Sequence, residues 1–442
     1  SPTLWSLMST WWIALMPAVA LTLGLSVVAG GIEYSEALTA VAAAALIVGL
    51  VVAGLTRSRT PLRDTFGSAG AVIPGLLLLV LRLVVLVLLV WWSSGLASDI
   101  AVLSGLWPGS AEEAQILGAA LIGASVVIHL FVSAPVLRVT LWGSATLGVL
   151  GAAALVVRAL PEVVAVPTWV LPSDAVAVAS AGALVVAGGL ALLAPITPTM
   201  AGLVAFKKGR APRLWASVMA VLPMAALLGF VVVLAAGAPE FADALREDPV
   251  RTLAIGLGTW FPIPALLALV LPVVGVLAVG LTAATSSLRD MSVPGPHPLV
   301  ASVIAVLFVA GIVASVVWSD IVSAALPDVV TTVGVALAAW AGVTAMNAAL
   351  PARPSGQKPV RVRWGNLLGM ASGIALGLGV VSSSVSWLSW QGYLVDFVTV
   401  EGLGVLTEGA MGVLLALVLG VLTALLSFVF AFASKGHSRG QL

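Results

Sequence analysis

Apolar runs of about 20 residues or more, each long enough to cross a bilayer core of roughly 30 Å, recur from Trp5 to Ser434. Short segments that hold almost all the charge separate them. Hydropathy and turn residues together predict twelve membrane-spanning helices, over 5–28, 35–55, 72–96, 114–133, 135–160, 175–203, 214–236, 261–288, 299–317, 327–349, 367–387 and 404–433. The basic residues orient them, because short cytoplasmic loops concentrate Lys and Arg. With the N-terminus inside, fifteen of the 19 Lys and Arg fall on the inner side, three (Arg158, Arg246 and Arg251) on the outer side, and Arg82 within a span. Adding or removing one helix scrambles that split. The expected topology is therefore twelve spans, multi-pass in a bacterial plasma membrane, with both termini cytoplasmic. The outer loops are acidic or neutral, with Glu240, Asp243, Glu247 and Asp248 between spans seven and eight. The largest inner loop, 351–363, is basic and contains proline, as a solvated linker should.

Composition closes off other classes. The chain is 61% apolar and only 8% charged, whereas a soluble domain carries roughly 25% charged residues. A formal net charge of +1 gives no case for nucleic-acid binding. There is no cysteine, hence no disulfide, thiolate metal site or cysteine nucleophile. The chain opens almost directly in the first span, with no basic stretch and no small-residue cleavage site before it, so no signal peptide is expected. No phosphate-binding loop, zinc-binding helix, Ser-His-Asp set or acidic pair stands out, so no enzyme and no cofactor or metal is expected.

Two stretches carry a resemblance. Residues 65–99 read TFGSAGAVIPGLLLLVLRLVVLVLLVWWSSGLASD, and Phe66-Gly67, Gly70-Ala71, Pro74, Trp91-Trp92 and Gly95 fall at the spacing of a loop and third helix. Residues 332–369 contain Trp340-Ala341-Gly342-Val343 followed by Arg363-Trp364-Gly365-Asn366, as in a tenth helix and the loop after it. Both resemble nucleobase–cation symporter family 1, the purine-cytosine permeases and their hydantoin-transporting relatives, and helix order agrees along essentially the full chain. The resemblance implies an all-α polytopic LeuT-type fold. In it, residues 1–160 form the first inverted repeat (helices 1–5), 161–350 the second (helices 6–10), and 351–442 a basic cytoplasmic loop with helices 11–12. It also implies first and sixth helices broken at the midplane, where unwound backbone binds substrate and coupling ion. Pro17 in span one and Pro195 and Pro198 in span six are the candidate hinges, since proline removes a backbone donor and clashes one turn back.

The family's binding residues do not carry across. Its helix-three aromatic and Gln positions are Val85 and Leu89 here. Its helix-six Trp and acidic positions are Leu190 and Thr199. Its helix-eight hydroxyl, hydroxyl and Asn positions are Leu277, Ala278 and Ala283. A buried nucleobase whose polar groups go unmatched loses about 1–3 kcal/mol per group. Sodium at the usual position would lack the side-chain oxygens that hard cations require. The candidate substrate-binding residues are Trp12, Leu89, Trp92, Thr197 and Thr282. Thr282, Thr285, Ser286, Ser287, Thr197 and Thr199 either form a shifted site or bond to their own helices. Arg82, mid-span, is either structural or functional, since an intramembrane charge is costly; with no deep carboxylate to pair with, its partners must be backbone, hydroxyl, water or another chain. His129 reads as an interfacial, hydrogen-bonded residue and Asn347 as a loop anchor. Gly369, Gly373 and Gly377 read as close-packing positions, and Trp107, Trp169, Trp318, Trp387 and Trp390 as part of an aromatic belt.

Two functions fit. One is a secondary active permease for a small, rather apolar solute that is not a standard sodium-coupled nucleobase symporter. The other is a transport-inactive scaffold serving a membrane-protein partner. The expected partners are the lipid bilayer, an unknown small solute and, on the second reading, such a protein, and no nucleic acid. An open central cavity favours the first; a side-chain-filled midplane favours the second.

Overall fold

The computed structural model describes residues 17–29, 31–56, 61–194, 196, 197, 199, 210–291, 297–350, 360–400, 404–407 and 409–438. Twelve helices occupy the expected positions. They are α1 (Pro17–Ala29), α2 (Tyr34–Leu55), α3 (Val72–Leu103), α4 (Ala111–Ile128), α5 (Ala134–Ala159), α6 (Ala175–Leu193), α7 (Arg210–Gly237), α8 (Leu271–Asp290), α9 (His297–Val317), α10 (Ser319–Ala349), α11 (Trp364–Val380) and α12 (Met411–Ser438). Among the described residues, nine helices are long and apolar enough to cross a membrane. A tenth joins them if the bent pair ending α7 is one span, and α1 and α11 are shorter apolar helices.

Burial separates an inner set from a lipid-facing one. About two thirds of the spanning windows of α6 and α8 is buried (67% each), against 28% for α4 and 28% for α12. α10 is wholly buried from Val333 to Ala345 and packs on α2, α6, α11 and α12. Glycines set the closest approaches, as small residues do wherever helix backbones meet. A Cβ on Gly342 would lie 2.5 Å from the Leu417 carbonyl oxygen, and one on Gly420 2.6 Å from that of Ala339. Gly369, Gly373 and Gly377 face Thr423, Ala416 and Gly412 of α12, the packing role their spacing suggests.

Several boundaries differ from expectation, each for a local reason. α6 stops at Leu193 rather than running to 203; the Leu193 carbonyl accepts from the Ile196 N–H at 3.2 Å and the Thr197 hydroxyl at 2.7 Å. α10 begins at Ser319, eight residues before Pro327, and carries that proline inside the helix. α11 ends at Val380 rather than 387, because the serines that follow bond to a carboxylate on α10 instead of continuing the helix. Span eight is irregular at its start, with a π-helical turn Leu266–Val270 before α8. Pro272 explains it, since its ring would clash with the carbonyl four residues earlier. α5 reaches this irregular turn through Gly151 and Pro272 through Gly148. The acidic loop after α7 forms two short helices, Pro239–Glu247 and Pro249–Leu257, the first bent 118° from α7.

Candidate functional site

A cavity of about 160 Å³ lies where α1, α3, α6 and α10 meet. Val19, Val85, Leu89, Trp92, Val330 and Val333 give it an almost wholly apolar wall. Two of its lining residues carry polar side-chain groups, Thr22 and the indole of Trp92; the Thr22 hydroxyl donates to the Ala18 carbonyl at 3.0 Å. Among the described residues, this space is thus neither filled nor ringed by hydroxyls. An apolar cavity of about 150 Å³ stays dry and accepts a benzene-sized guest, so this one suits the body of a small ring.

The structure brings Leu89 and Trp92 together in this wall, beside Val85. Thr197 and Thr282 are not part of it. Thr197 is buried and donates back to the Leu193 carbonyl at the end of α6, and Thr282 donates to the Ala278 carbonyl at 2.9 Å. Trp12, Pro195 and Pro198 lie outside the described residues, and Pro17 is the first described residue of α1. The other α8 hydroxyls behave like Thr282. Thr285 donates to the Thr282 carbonyl at 2.8 Å, and Ser286 and Ser287 to that of Ala283 at 2.8 and 3.1 Å. Leu277, Ala278 and Ala283 are fully buried. Among the described residues, no group of three or more His, Asp or Glu side chains is placed to hold a metal.

Arg82 is buried between α3 and α8. Its Nη1 donates to the Ala283 carbonyl at 2.7 Å and to the Ser287 hydroxyl. Backbone and hydroxyl therefore receive the guanidinium, two of the partner types that the absence of a deep carboxylate required. His129 caps α4, with Nδ1 2.6 Å from the Ser125 carbonyl oxygen and Nε2 3.0 Å from the Thr140 hydroxyl.

The two motif stretches meet in space, which sequence spacing did not reveal. The Asn366 amide, buried, donates to the Thr65 carbonyl at 2.6 Å, and the Arg363 N–H to the Phe66 carbonyl at 2.9 Å. Asn347 anchors the same loop, donating to the Asp64 carbonyl at 3.2 Å. Gly67 sits at φ +89°, where a Cβ would come within 2.6 Å of the Val360 carbonyl oxygen. These residues join the α2–α3 loop to the segment before α11; they do not touch the cavity.

Sequence reasoning also missed a second cavity, of about 480 Å³, lined by Ser26, Ser180, Leu184, Thr331 and Asp328 among others. Its carboxylate is Asp328. The available signal is an aspartate immediately after Pro327 and, fifty residues on, the serine run 382–384.

No protein-family model matches the chain, and no curated protein matches it in sequence. Solved structures do match. Mhp1, a nucleobase-cation-symport-1 family transporter, in a closed conformation with bromovinylhydantoin bound, is similar at TM-score 0.64 and 16% identity, over 97% of this chain and 93% of that one. Mhp1 in its inward-facing conformation is similar at TM-score 0.61 and 16% identity, over 99% and 92% of the two chains. A Na+-coupled sialic acid symporter, substrate-bound and outward-open, is similar at 0.58 and 10% identity, over 96% and 90%. The fold is therefore that of an all-α, multi-pass membrane protein of about twelve helices, with the LeuT-type five-plus-five inverted repeat and two C-terminal helices.

Proposed function

We propose that this protein is a secondary active permease, a divergent relative of nucleobase–cation symporter family 1, that moves a small organic solute with an apolar body. The observation that carries the reading is the cavity between α1, α3, α6 and α10, of about 160 Å³ and walled by Val85, Leu89, Trp92 and Val333. Its size suits one ring, and its wall leaves a nucleobase's donors and acceptors unmatched. α6 ends just before Pro195, which fits a hinge in the sixth helix. Alternating access would then rock one group of helices against another around this cavity. The repeats 1–160 and 161–350, a bacterial plasma membrane and cytoplasmic termini complete the reading.

The alternative is a scaffold without transport, favoured by polar side chains that bond to their own helices in place of a solute. Counterflow in proteoliposomes separates the two. Vesicles loaded with unlabelled phenylacetate, phenethylammonium or cytosine are exposed to the labelled compound. The permease reading expects saturable counterflow of at least one of the first two and none of cytosine. It also expects loss of that flux in Ala191→Phe, which places a ring in the cavity. Intact, reconstituted protein that moves neither of the first two contradicts it.

A further inference from the structure

One stripe of α10 runs from the apolar cavity to the α2–α3 loop. Leu326, Val330 and Val333 line the cavity. Leu337, Trp340, Thr344 and Asn347 follow Val333 at steps of four, three, four and three residues, the spacing that keeps side chains on one helix face. Trp340 stands about 10 Å beyond Val333 along the axis and Thr344 about 16 Å. The other faces of α10 are occupied. Val335 meets Gly377 of α11, and the Val343 backbone meets Gly420 of α12. Gly334 meets Ala187 of α6, and Ala345 meets Gly54 of α2. The stripe is left to α3 and to the short helix Pro61–Phe66, both of which α10 also touches.

Two polar groups in this stripe are orphaned. Trp340 and Thr344 are each 1% exposed, and neither the indole N–H nor the hydroxyl has a hydrogen-bond partner among the described residues. Thr197 and Thr282, by contrast, bond to backbone four residues earlier. Buried polar groups are almost always paired. Two orphans one turn apart therefore raise the free energy of this conformation. A conformation that admits water to the stripe satisfies both, so their burial favours opening.

Hydrogen bonds close the far end of the stripe. Asn347 donates to the Asp64 carbonyl at 3.2 Å, and its amide oxygen accepts from Arg363 Nη1 at 3.3 Å. The bond to Asp64 is exposed, so water can replace it at little cost.

We propose that Trp340 and Thr344 line the second half of the solute route, dry in this conformation and wetted when the α2–α3 loop parts from Asn347. This rests on the permease reading and adds two solute-contacting positions to it. Single cysteines in the otherwise cysteine-free chain test it, with a membrane-impermeant methanethiosulfonate added to the reconstituted protein from the Asn347 side. Thr344→Cys should be labelled. Val343→Cys, equally buried but next along the helix on the α12 side, should stay protected. Asn347→Ala should speed the Thr344→Cys reaction about two- to tenfold, the range of one neutral hydrogen bond. Thr344→Val removes the orphaned hydroxyl and keeps the shape of the side chain. It should slow labelling of Leu89→Cys from the Asn347 side about fivefold, the size of one relieved buried group; a merely structural role would leave that rate unchanged. A protected Thr344→Cys, a rate that Asn347→Ala does not raise, or a Leu89→Cys rate that Thr344→Val does not lower overturns the proposal. In each case Leu89→Cys labelled from both sides of the membrane would leave the permease reading standing.

Discussion

Leu89→Gln should invert the selectivity of the apolar cavity. Leu89 is 8% exposed and its side chain forms part of the cavity wall. The substitution keeps the length of the side chain and replaces its branched end with an amide. An apolar guest would then leave the amide unmatched, at a cost of about 1–3 kcal/mol, so phenethyl alcohol should bind about five- to 150-fold more weakly. A nucleobase starts from the opposite position. In the wild type two or three of its polar groups go unmatched, and at about 1–1.5 kcal/mol each this weakens it roughly a hundredfold or more. The amide can recover one or two of those bonds, so uracil or cytosine should gain about tenfold. Competition binding with both compound types on wild type and Leu89→Gln reads the two effects at once. Tight nucleobase binding by the wild type that Leu89→Gln abolishes would refute the reasoning about the wall.

Three other outcomes follow from particular residues. Gly67→Ala must adopt φ +89° and place its Cβ 2.6 and 2.8 Å from the Val360 and Arg361 carbonyl oxygens, so it should cost about 2–4 kcal/mol; Gly31→Ala, at φ +72° with nothing within 4 Å, should cost about half as much or less in the same denaturant titration. Thr344 is 1% exposed and its hydroxyl has no hydrogen-bond partner among the described residues, so Thr344→Val should stabilise by about 1 kcal/mol. Thr197→Val, which loses the bond to Leu193, should not, and equal Tm shifts would contradict this. Sodium chloride should raise Tm no more than choline chloride, because Leu277 and Ala278 bring no side-chain oxygen; a sodium-specific rise lost on changing Ala278 would show that a cation site exists there.

Much of this architecture was legible in the chain. Period and length give the helices, because a spanning helix must satisfy its backbone internally and so declares itself over about 20 residues. The basic residues place Arg63, Arg361 and Arg363 on one side, and Arg363 does reach the α2–α3 loop, at the Phe66 and Asp64 carbonyls. Gly369, Gly373 and Gly377 announce the α11–α12 packing. What failed depends on contacts between distant segments. Pro327 looks like a helix start, since proline suits the first turn, yet α10 runs through it. The apolar run through 387 looks helical until Asp328 claims the backbone and hydroxyl of Ser384. Of the candidate site, Leu89 and Trp92 are found through the resemblance, whereas Thr197 and Thr282 look like ligands only because their bonds to backbone four residues earlier are invisible in a sequence. The role of Asp328 shows only once the structure brings Ser383 and Ser384 to its carboxylate.

The central claim is that the space at Leu89 opens in turn to each side of the membrane. The chain has no cysteine, so Leu89→Cys creates a single reporter thiol. Membrane-impermeant methanethiosulfonate labelling of right-side-out and inside-out vesicles then measures access from each side. The permease account predicts labelling in both orientations, slowed in both by phenylacetate or phenethylammonium. Labelling from one side alone or from neither, with no effect of the solute, would contradict it.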